Sequence, residues 1–544
     1  MPNRTGSVEA VPWQHAIKGQ GALSVMLLVV LLLASHYAIT QWRRPPYPPG
    51  PKGHPLLGMT FLMPKERPWV QYTEWARTYG KLMYFRLGGT SVIVVSSGRI
   101  AKEMLHHRYQ KYSSRPPSVV GEIVTRNMRS VLLPYGDHLK RVRRHYTKFI
   151  SAAKCDGYLP VQEKEAIASI MDISKSPDDF ELSITRYSVS SARSIAFGKR
   201  VENAGDPFAR DVNRVIKQFA EIMTPGKYMV DFIPALQLLP RFLRPWMDHL
   251  EAYRDWETVF FLNEYRQALK DAEKYPNRPS LARDINEERK VLGQTDATSE
   301  LQAAQTCMEI LGTGSDTISG SIRALIHACL AYPDVLKKAH KELDRVIGRD
   351  RFPTWEDEPN LPYIRAMIKE QHRWRTIAPL SFAHYASEDD VIDNYYIPKG
   401  SLVQINTWAI QMDPERYPDP ERFEPERFLN YPLSASAYAN NPNPDERDHF
   451  SYGGGRRVCI GLHLAERSLY SMISRFLHTF DIKPGLDEDG NEIPIDVDAY
   501  TTSLTSFAKP FKARFMVRNP QIQKTLENEW TKLFGHGQVE SWVS

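Results

Sequence analysis

A glycine-rich loop that brings one cysteine to the start of a helix constrains this chain most. The loop is Tyr452–Gly461, with the letters YGGGRRVCIG, and a helical pattern begins at about Leu462. A sulfur at a helix N-terminus meets free backbone N–H groups and the positive end of the dipole, which favour the thiolate. Such a thiolate can hold haem iron. Taken alone, the segment also fits an ordinary glycine-rich turn with an incidental cysteine.

The loop resembles the haem-binding signature of the cytochrome P450 monooxygenases, which has an aromatic residue, glycine, arginine, cysteine and glycine at fixed spacing. Tyr452 stands where the family usually has Phe. The resemblance implies that Cys459 is the axial ligand of the iron of haem b. The other loop residues that it assigns to the cofactor are Tyr452, Gly453, Gly455 and Arg457. Glycines allow close approach to a flat ring, and arginine can meet its carboxylates.

Two segments upstream carry charges in the order that the family shows. Glu370 and Arg373 are three residues apart, on one face of a helical pattern, and Arg427 follows in PERF. An isolated pair of this kind is usually an exposed salt bridge that contributes little. The resemblance implies instead that Glu370, Arg373 and Arg427 form a buried network that braces the segment leading to the cysteine.

An apolar helical run near the middle of the chain contains GTGSDT, starting at Gly312. Gly312 and Gly314 each weaken a helix by about 1 kcal/mol relative to Ala, so we expect a kink with loosened hydrogen bonds that can host water or oxygen. Asp316 and Thr317 would supply an acid and a hydroxyl for proton transfer there. The family's long helix over the haem carries this pair, while Thr313 replaces a small residue. A plain helix with Asp316 capping a local break is the alternative.

Two further residues match family positions that touch the haem propionates. Arg143 stands at the arginine position of YGDHLKRVRR, although Leu139 replaces the usual Trp four residues earlier. His384 matches a position that often contacts the same carboxylates. A lone histidine is as often structural, so both interpretations of His384 remain open.

The N-terminal region is typical of a membrane anchor. Residues 21–39 read GALSVMLLVVLLLASHYAI without a formal charge, long enough to cross a bilayer. Arg43 and Arg44 follow, against Lys18 on the other flank, and this excess favours a cytoplasmic catalytic side. A cleaved signal peptide is the alternative, but no basic cluster precedes the apolar stretch.

These features predict the organisation of the chain. The predicted segments are a short lumenal tail at 1–20, a transmembrane anchor at 21–39, a proline-rich hinge at 40–58, a haem-thiolate catalytic domain at 59–518 and a C-terminal tail at 519–544. The resemblance implies a single-pass protein of the endoplasmic reticulum membrane whose catalytic domain faces the cytosol. Asn3, in an Asn-Arg-Thr sequon, would then be a glycosylation site on the lumenal side.

The fold class implied by the resemblance is mainly α with a small β-rich lobe, the cytochrome P450-like fold. Alternation predicts a hairpin over 81–95 and a strand pair between 392 and 404 that turns at 398–400. The predicted long helices are at about 163–196, 207–222, 245–275, 301–330 and 333–346. The apolar, proline-interrupted segment 225–245 fits a packed loop or a pocket lid that dips into the bilayer.

Composition narrows the partners. The net charge is +6, and no nucleic-acid motif accompanies it, so we expect no nucleic-acid partner. Four scattered cysteines fit neither a disulfide framework nor a zinc site. No flavin or dinucleotide fingerprint is visible, so electrons would come from a separate NADPH-dependent flavoprotein reductase. The basic segment 140–148 could steer that partner or be a solvated face.

The function implied by the resemblance is a haem-thiolate monooxygenase that inserts one oxygen atom from O2 into a lipophilic small molecule. The pattern looks most like that of fungal members that act in secondary metabolism or xenobiotic oxidation. One alternative is a haem-thiolate isomerase or dehydratase, which the intact Asp316–Thr317 pair disfavours. The other is a non-catalytic membrane protein, either haem-binding or without a cofactor.

Overall fold

The computed structural model describes residues 44–224, 226–292, 299–441 and 443–535, and seven separate positions from Val25 to Ser35. The Asn3 sequon and most of the predicted anchor at 21–39 lie outside the described residues. Within the described chain, no helix combines the length and the apolar character that crossing a bilayer requires.

Helices dominate, and the strands are few and short. The α-helices are α1 Pro68–Tyr79, α2 Gly98–Lys102, α3 Tyr109–Tyr112, α4 Val119–Thr125, α5 Asp137–Phe149, α6 Ala152–Asp156, α7 Leu159–Lys175, α8 Phe180–Phe197, α9 Pro207–Ile222, α10 Trp246–Lys274, α11 Leu281–Leu292, α12 Glu300–Ala331, α13 Pro333–Val346, α14 Pro362–Trp374, α15 Thr407–Gln411, α16 Ala435–Ala439, α17 Leu462–Thr479 and α18 Pro520–Phe534. The strands are β1 Leu82–Leu87, β2 Thr90–Val95, β3 His384–Tyr385, β4 Asp390–Ile392, β5 Tyr395–Ile397, β6 Leu402–Ile405, β7 Phe480–Pro484 and β8 Ala513–Val517.

Most long helices occupy their predicted positions. α9 and α13 begin with a proline at the first turn, where its missing N–H leaves no helical bond unmade. The helix predicted over 163–196 is wrong as a single element, because it is divided into α7 and α8. Pro177 starts a short 3-10 turn between them, and a proline disfavours helical backbone in the residue before it.

The main core forms where α12 packs against α8, α14 and α17. Ile322 and Leu325 of α12, Trp374 of α14 and Phe476 of α17 are buried in one apolar cluster. Burial of each such side chain contributes about 1.5–3 kcal/mol, so these helices are held firmly relative to one another. The core therefore fixes the helix that carries Asp316 and Thr317 against the helix that follows the cysteine loop.

The β-lobe contains a four-stranded sheet in the order β1-β2-β6-β3. β1 and β2 form the predicted antiparallel hairpin, and β6 runs parallel to β2. The strand pair predicted between 392 and 404 is wrong, since β5 pairs with β4 and β6 pairs with β2 and β3. The turn at 398–400 is present, but it joins two sheets. Its residues specify a reversal, whereas the partner of β6 is chosen by burial of Val403 and Ile405.

The described part of the predicted hinge at 40–58 packs on the β-lobe. Tyr47 stacks on Tyr84 with 4.5 Å between ring centroids. The backbone N–H of Tyr84 donates to the carbonyl of Pro49 over 3.1 Å. The proline-rich segment is thus fixed to the domain from Arg44 onward rather than acting as a free spacer.

The prediction of a C-terminal tail at 519–544 is wrong for its first half, because α18 packs onto α7. The Asn519 side chain accepts the N–H of Ile522 and caps the helix, and Pro520 occupies its first turn. Ile522 and Leu526 are fully buried. The folded domain therefore extends to about Phe534.

Candidate functional site

The cysteine loop closes on itself immediately before α17. The Cys459 N–H donates to the Tyr452 carbonyl over 2.8 Å, and α17 starts at Leu462 as predicted. The Cys459 side chain is accessible, yet protein atoms surround it closely enough to desolvate it. Together these properties mean that Sγ faces a space inside the protein rather than bulk solvent.

The helix terminus acts on the Cys459 thiol in the predicted direction, but burial opposes it. A hydrogen bond from the Gly461 backbone and the charge of Arg143 both lower the pKa of this thiol, but burial outweighs them and raises it. A bound metal cation reverses that balance, because a coordinating thiol is deprotonated outright.

Backbone conformation and close packing explain why the loop has glycine at positions 453 and 455. Gly453 and Gly455 adopt φ of 68° and 60°, in the left-handed region that favours glycine. A Cβ on Gly455 would lie 1.9 Å from the carbonyl oxygen of Leu105. The Gly455 N–H donates over 3.0 Å to Nε2 of His106, in the π-helical turn Glu103–His107. Gly455 is therefore required where the loop touches that turn.

We expect Gly455→Ala to lower the free energy of unfolding by about 2–3 kcal/mol, because it combines a strained φ with a backbone clash. Urea unfolding of the haem-loaded protein measures the change. Gly461→Ala is the matched control in the same loop, since its φ is −82° and a Cβ there would meet nothing within 4 Å. Equal losses for the two variants would contradict the interpretation.

Arg115, Arg143 and Arg457 form a cationic cluster beside the loop. Among the described residues, no carboxylate lies within the 4.0 Å ion-pair distance of any of them. Backbone carbonyls accept their N–H groups: Val458 from Arg143, Ser113, Ser130 and Leu133 from Arg457, and Val131, Phe382 and Ala383 from Arg115. Burial and mutual repulsion lower the pKa of Arg457 to about 9 and that of Arg115 well below its usual value. An anion bound between these arginines would offset both the desolvation of the guanidinium groups and their mutual repulsion.

The cluster and the sulfur together fit a haem. A guanidinium has five N–H groups. Arg143 donates to a backbone carbonyl only through Nη2, and Arg115 donates to backbone carbonyls through Nε and Nη1. Both therefore keep donors for a carboxylate, and Cys459 supplies an iron ligand. Arg115 was missed in the sequence because it belongs to no local motif and joins the others only through the fold.

His384 lies beside this cluster, where the resemblance placed it. It is buried, and Nδ1 lies 2.7 Å from the Tyr112 carbonyl, to which it donates. Burial, followed by the charge of Arg115, holds its pKa well below the usual value, so the imidazole is neutral. This bond gives His384 a structural role, and contact with the propionates stays a prediction.

α12 is a continuous helix from Glu300 to Ala331, so Gly312 and Gly314 do not interrupt it, and the kink expected there stays a prediction. A Cβ on Gly314 would be 3.7 Å from the Cβ of Ala192 in α8, an ordinary contact distance. Packing of α12 against α8 outweighs the low helix propensity of the glycines.

Asp316 and Thr317 sit partly buried on this continuous helix. Burial raises the pKa of the Asp316 carboxyl to about 6, against a smaller opposing effect of Arg323. The Thr317 hydroxyl donates to the Thr313 carbonyl over 2.7 Å. An acid that titrates near neutral pH next to a hydroxyl is suited to proton transfer.

The structure brings Glu370, Arg373 and Arg427 together. Glu370 accepts two N–H groups of Arg373 at 2.6 and 2.7 Å, and Arg427 Nε lies 3.7 Å from the same carboxylate. The Glu424 backbone N–H donates to it over 2.8 Å. Burial raises the pKa of Glu370, and Arg373 acts in the opposite direction.

Tyr452 lies under the loop against α14. Its hydroxyl is 3.1 Å from Nε2 of His372, and its ring packs edge-on to that imidazole. The larger polar side chain at the usual Phe position therefore has a partner.

Comparison with known proteins agrees with this geometry. The cytochrome P450 family model matches residues 48–497. Cytochrome P450 monooxygenase verL of Clonostachys rogersoniana is 32% identical over 91% of this chain and 91% of its own length. Cytochrome P450 monooxygenases yanC of Aspergillus niger and patH of Penicillium expansum are each 34% identical over 93% of this chain, covering 95% and 97% of their own lengths.

The chain belongs to the cytochrome P450 family. It is a haem-thiolate monooxygenase, an oxidoreductase that uses O2, a lipophilic substrate and a redox partner. The predicted fold, cofactor and class of enzyme are thus confirmed, whereas the roles of individual site residues stay predictions.

Proposed function

We propose that the protein oxidises a lipophilic molecule of fungal secondary metabolism, or a hydrophobic xenobiotic, with electrons from an NADPH-dependent flavoprotein reductase. The observation that carries this proposal is the accessible Cys459 sulfur beside Arg115, Arg143 and Arg457, which have no carboxylate partner in the part of the chain that the structure describes. Haem, when bound, supplies the activation of O2 and the insertion of one oxygen atom.

The chain's own residues would do the rest. Cys459 binds the iron, and Arg115, Arg143 and Arg457 hold the haem carboxylates. The Asp316 carboxyl gives up a proton to water that the Thr317 oxygen orients as a hydrogen-bond acceptor, and it regains a proton from bulk water.

The test is turnover in microsomes that contain the protein and a reductase, with NADPH, ¹⁸O2 and panels of terpenoids, polyketides, fatty acids and polycyclic compounds. We expect a product that carries one labelled oxygen and that disappears when NADPH or the reductase is omitted. A product formed without O2 consumption would indicate the isomerase or dehydratase alternative.

The exposed face of α5 is the surface on which we expect the reductase to dock. Lys140, Arg141, Arg144 and Lys148 are exposed there, whereas Arg143 turns inward to Val458. This face is positively charged and lies on the helix that holds Arg143 next to the loop, so it suits an acidic electron donor.

We expect Thr317→Ala and Asp316→Asn to lower product formed per NADPH by about 10- to 100-fold, with the remaining reducing equivalents appearing as hydrogen peroxide. The protonated fraction of Asp316 rises as pH falls through about 6. The rate of product formation should therefore increase as pH falls through about 6 in the natural protein, and it should not change with pH over the same interval in Asp316→Asn. Unchanged coupling in both variants would refute the assignment.

Attachment to the endoplasmic reticulum membrane through residues 21–39 is also proposed. Val25, Met26, Leu28, Val29, Leu31 and Leu32 are helical and exposed at the described positions of this stretch. In the segment 225–245, Leu238 and Phe242 are 86% and 82% exposed, which suits the proposed lid in contact with lipid.

We expect the full chain to stay in the membrane pellet after alkaline carbonate extraction, and a chain that starts at Thr40 to be released. If Asn3 is glycosylated in the lumen, endoglycosidase treatment should lower the mass of the natural protein and leave the mass of Asn3→Gln unchanged. Release of the full chain by carbonate would rule out the anchor.

A further inference from the structure

Glu309, Thr313 and Thr317 line one face of α12. They are spaced four residues apart, so each follows the last by only about 40° around the helix axis. Thr313 is exposed although it sits in the middle of a helix that the core surrounds. Its side chain therefore faces an internal space rather than packed protein.

This face lies close to the cysteine loop. The charge of Arg143 interacts with both Cys459 and Glu309, and its Nη2 donates to the Val458 carbonyl next to the cysteine. The carboxylate and the sulfur thus border the same region of the interior.

The two threonine hydroxyls have no proton left to donate. Thr313 Oγ1 donates to the Glu309 carbonyl over 2.6 Å, and Thr317 Oγ1 donates to the Thr313 carbonyl over 2.7 Å. A hydroxyl has one proton and two lone pairs, so both oxygens remain available only as acceptors.

Glu309 adds a fixed acceptor. Oε1 accepts the Ser130 hydroxyl over 2.6 Å, while Oε2 accepts the Ser130 N–H and the Tyr146 hydroxyl. A carboxylate has about four acceptor sites, so one on Oε1 is unused. Because two other elements hold the carboxylate, it is oriented before any ligand arrives.

We propose that the substrate of this monooxygenase carries a hydroxyl or N–H group, which donates to the acceptor face formed by Glu309 and Thr313. The inference rests on the proposed function and narrows its substrate class. A ligand with only ether or ketone oxygens would place lone pairs against lone pairs and leave these acceptors unpaired. A site built to bind a donor discriminates strongly against an analogue without it.

The test compares two rigid ligands that differ only in the donor, 2-naphthol and its methyl ether 2-methoxynaphthalene. Dissociation constants are measured on the haem-loaded full chain from the shift of the Soret band. We expect the natural protein to bind 2-naphthol about tenfold more tightly or better. Thr313→Val and Glu309→Gln should reduce that preference to about threefold or less. Thr313→Ser keeps the hydroxyl and should retain the preference of the natural protein.

Ser315→Ala is the matched control. Ser315 also donates to the carbonyl four residues earlier on α12, but it is buried and off the acceptor face. The preference of Ser315→Ala for 2-naphthol over 2-methoxynaphthalene should equal that of the natural protein. The CO spectrum of each variant shows that the haem is correctly loaded before affinities are compared.

Equal binding of the two ligands by the natural protein, or an unchanged preference in both Thr313→Val and Glu309→Gln, would overturn the inference. A substrate without hydroxyl or N–H that is turned over well would do the same. If those results appear while ¹⁸O2- and NADPH-dependent turnover persists, only the inference fails. Absence of all such turnover would instead remove the proposed function.

Discussion

Cys459→Ser should abolish two properties together, the thiolate-type CO spectrum of the reduced protein and its insertion of oxygen. Serine keeps the size of the side chain but replaces the sulfur, whose electron donation to iron favours cleavage of the O–O bond. Burial already raises the pKa of the softer and more acidic thiol, so a serine alkoxide would be far less accessible at this position. We expect product formation to fall to background, measured with the ¹⁸O2 assay.

Cys155→Ala provides the control for loss of a thiol in general. Cys155 is buried away from the loop, and its Sγ lies 3.6 Å from the Ile150 carbonyl. That variant should keep the spectrum and the activity. A Cys459→Ser protein that hydroxylates as well as its parent would invalidate the assignment of the iron ligand.

The site residues that the sequence revealed are those that sit in short local patterns. Cys459 and the pair Glu370–Arg373 are recognisable because loop chemistry and helical spacing place them within a few positions of their partners. Arg115 and Glu309 have no such neighbours, since Arg115 meets Phe382 and Glu309 meets Ser130 only after the chain has folded. No periodicity in the sequence carries that information.

The fold was predictable to the same extent. Proline at the first turn marks the starts of α9 and α13, and the glycines at 88 and 89 mark the hairpin of β1 and β2. The unbroken α12 and the partner of β6 depend on tertiary packing, which outweighs glycine propensity in the first case and chain order in the second.

Glu370→Gln should be the most damaging change away from the iron ligand. Glu370 and Arg373 are both 0% exposed, and the carboxylate accepts two guanidinium N–H groups. An amide removes the charge and places an NH₂ group against those donors. The buried Arg373 then lacks its counter-ion, which typically destabilises a protein by about 3–5 kcal/mol.

The damage should reach the cofactor, because Arg373 also ties α14 to the segment that leads to the loop. Its Nη1 donates to the carbonyls of Gln411 and Pro420, each at 2.9 Å, and its Nη2 to that of Arg422. When Arg373 loses its orientation, this segment loses its attachment. We therefore expect little haem-loaded protein, measured as haem per polypeptide and as the urea midpoint of what remains.

Glu74→Gln is the matched control, because Glu74 and Arg77 have the same three-residue spacing and a contact of 2.8 Å. Their side chains are 53% and 65% exposed, so water screens the pair and replaces its hydrogen bond. Its loss should change the free energy of unfolding by less than about 1 kcal/mol and leave haem content unchanged. If Glu370→Gln were as mild as Glu74→Gln, burial would not be what makes the first pair important, and the bracing role of Glu370, Arg373 and Arg427 would have to be abandoned.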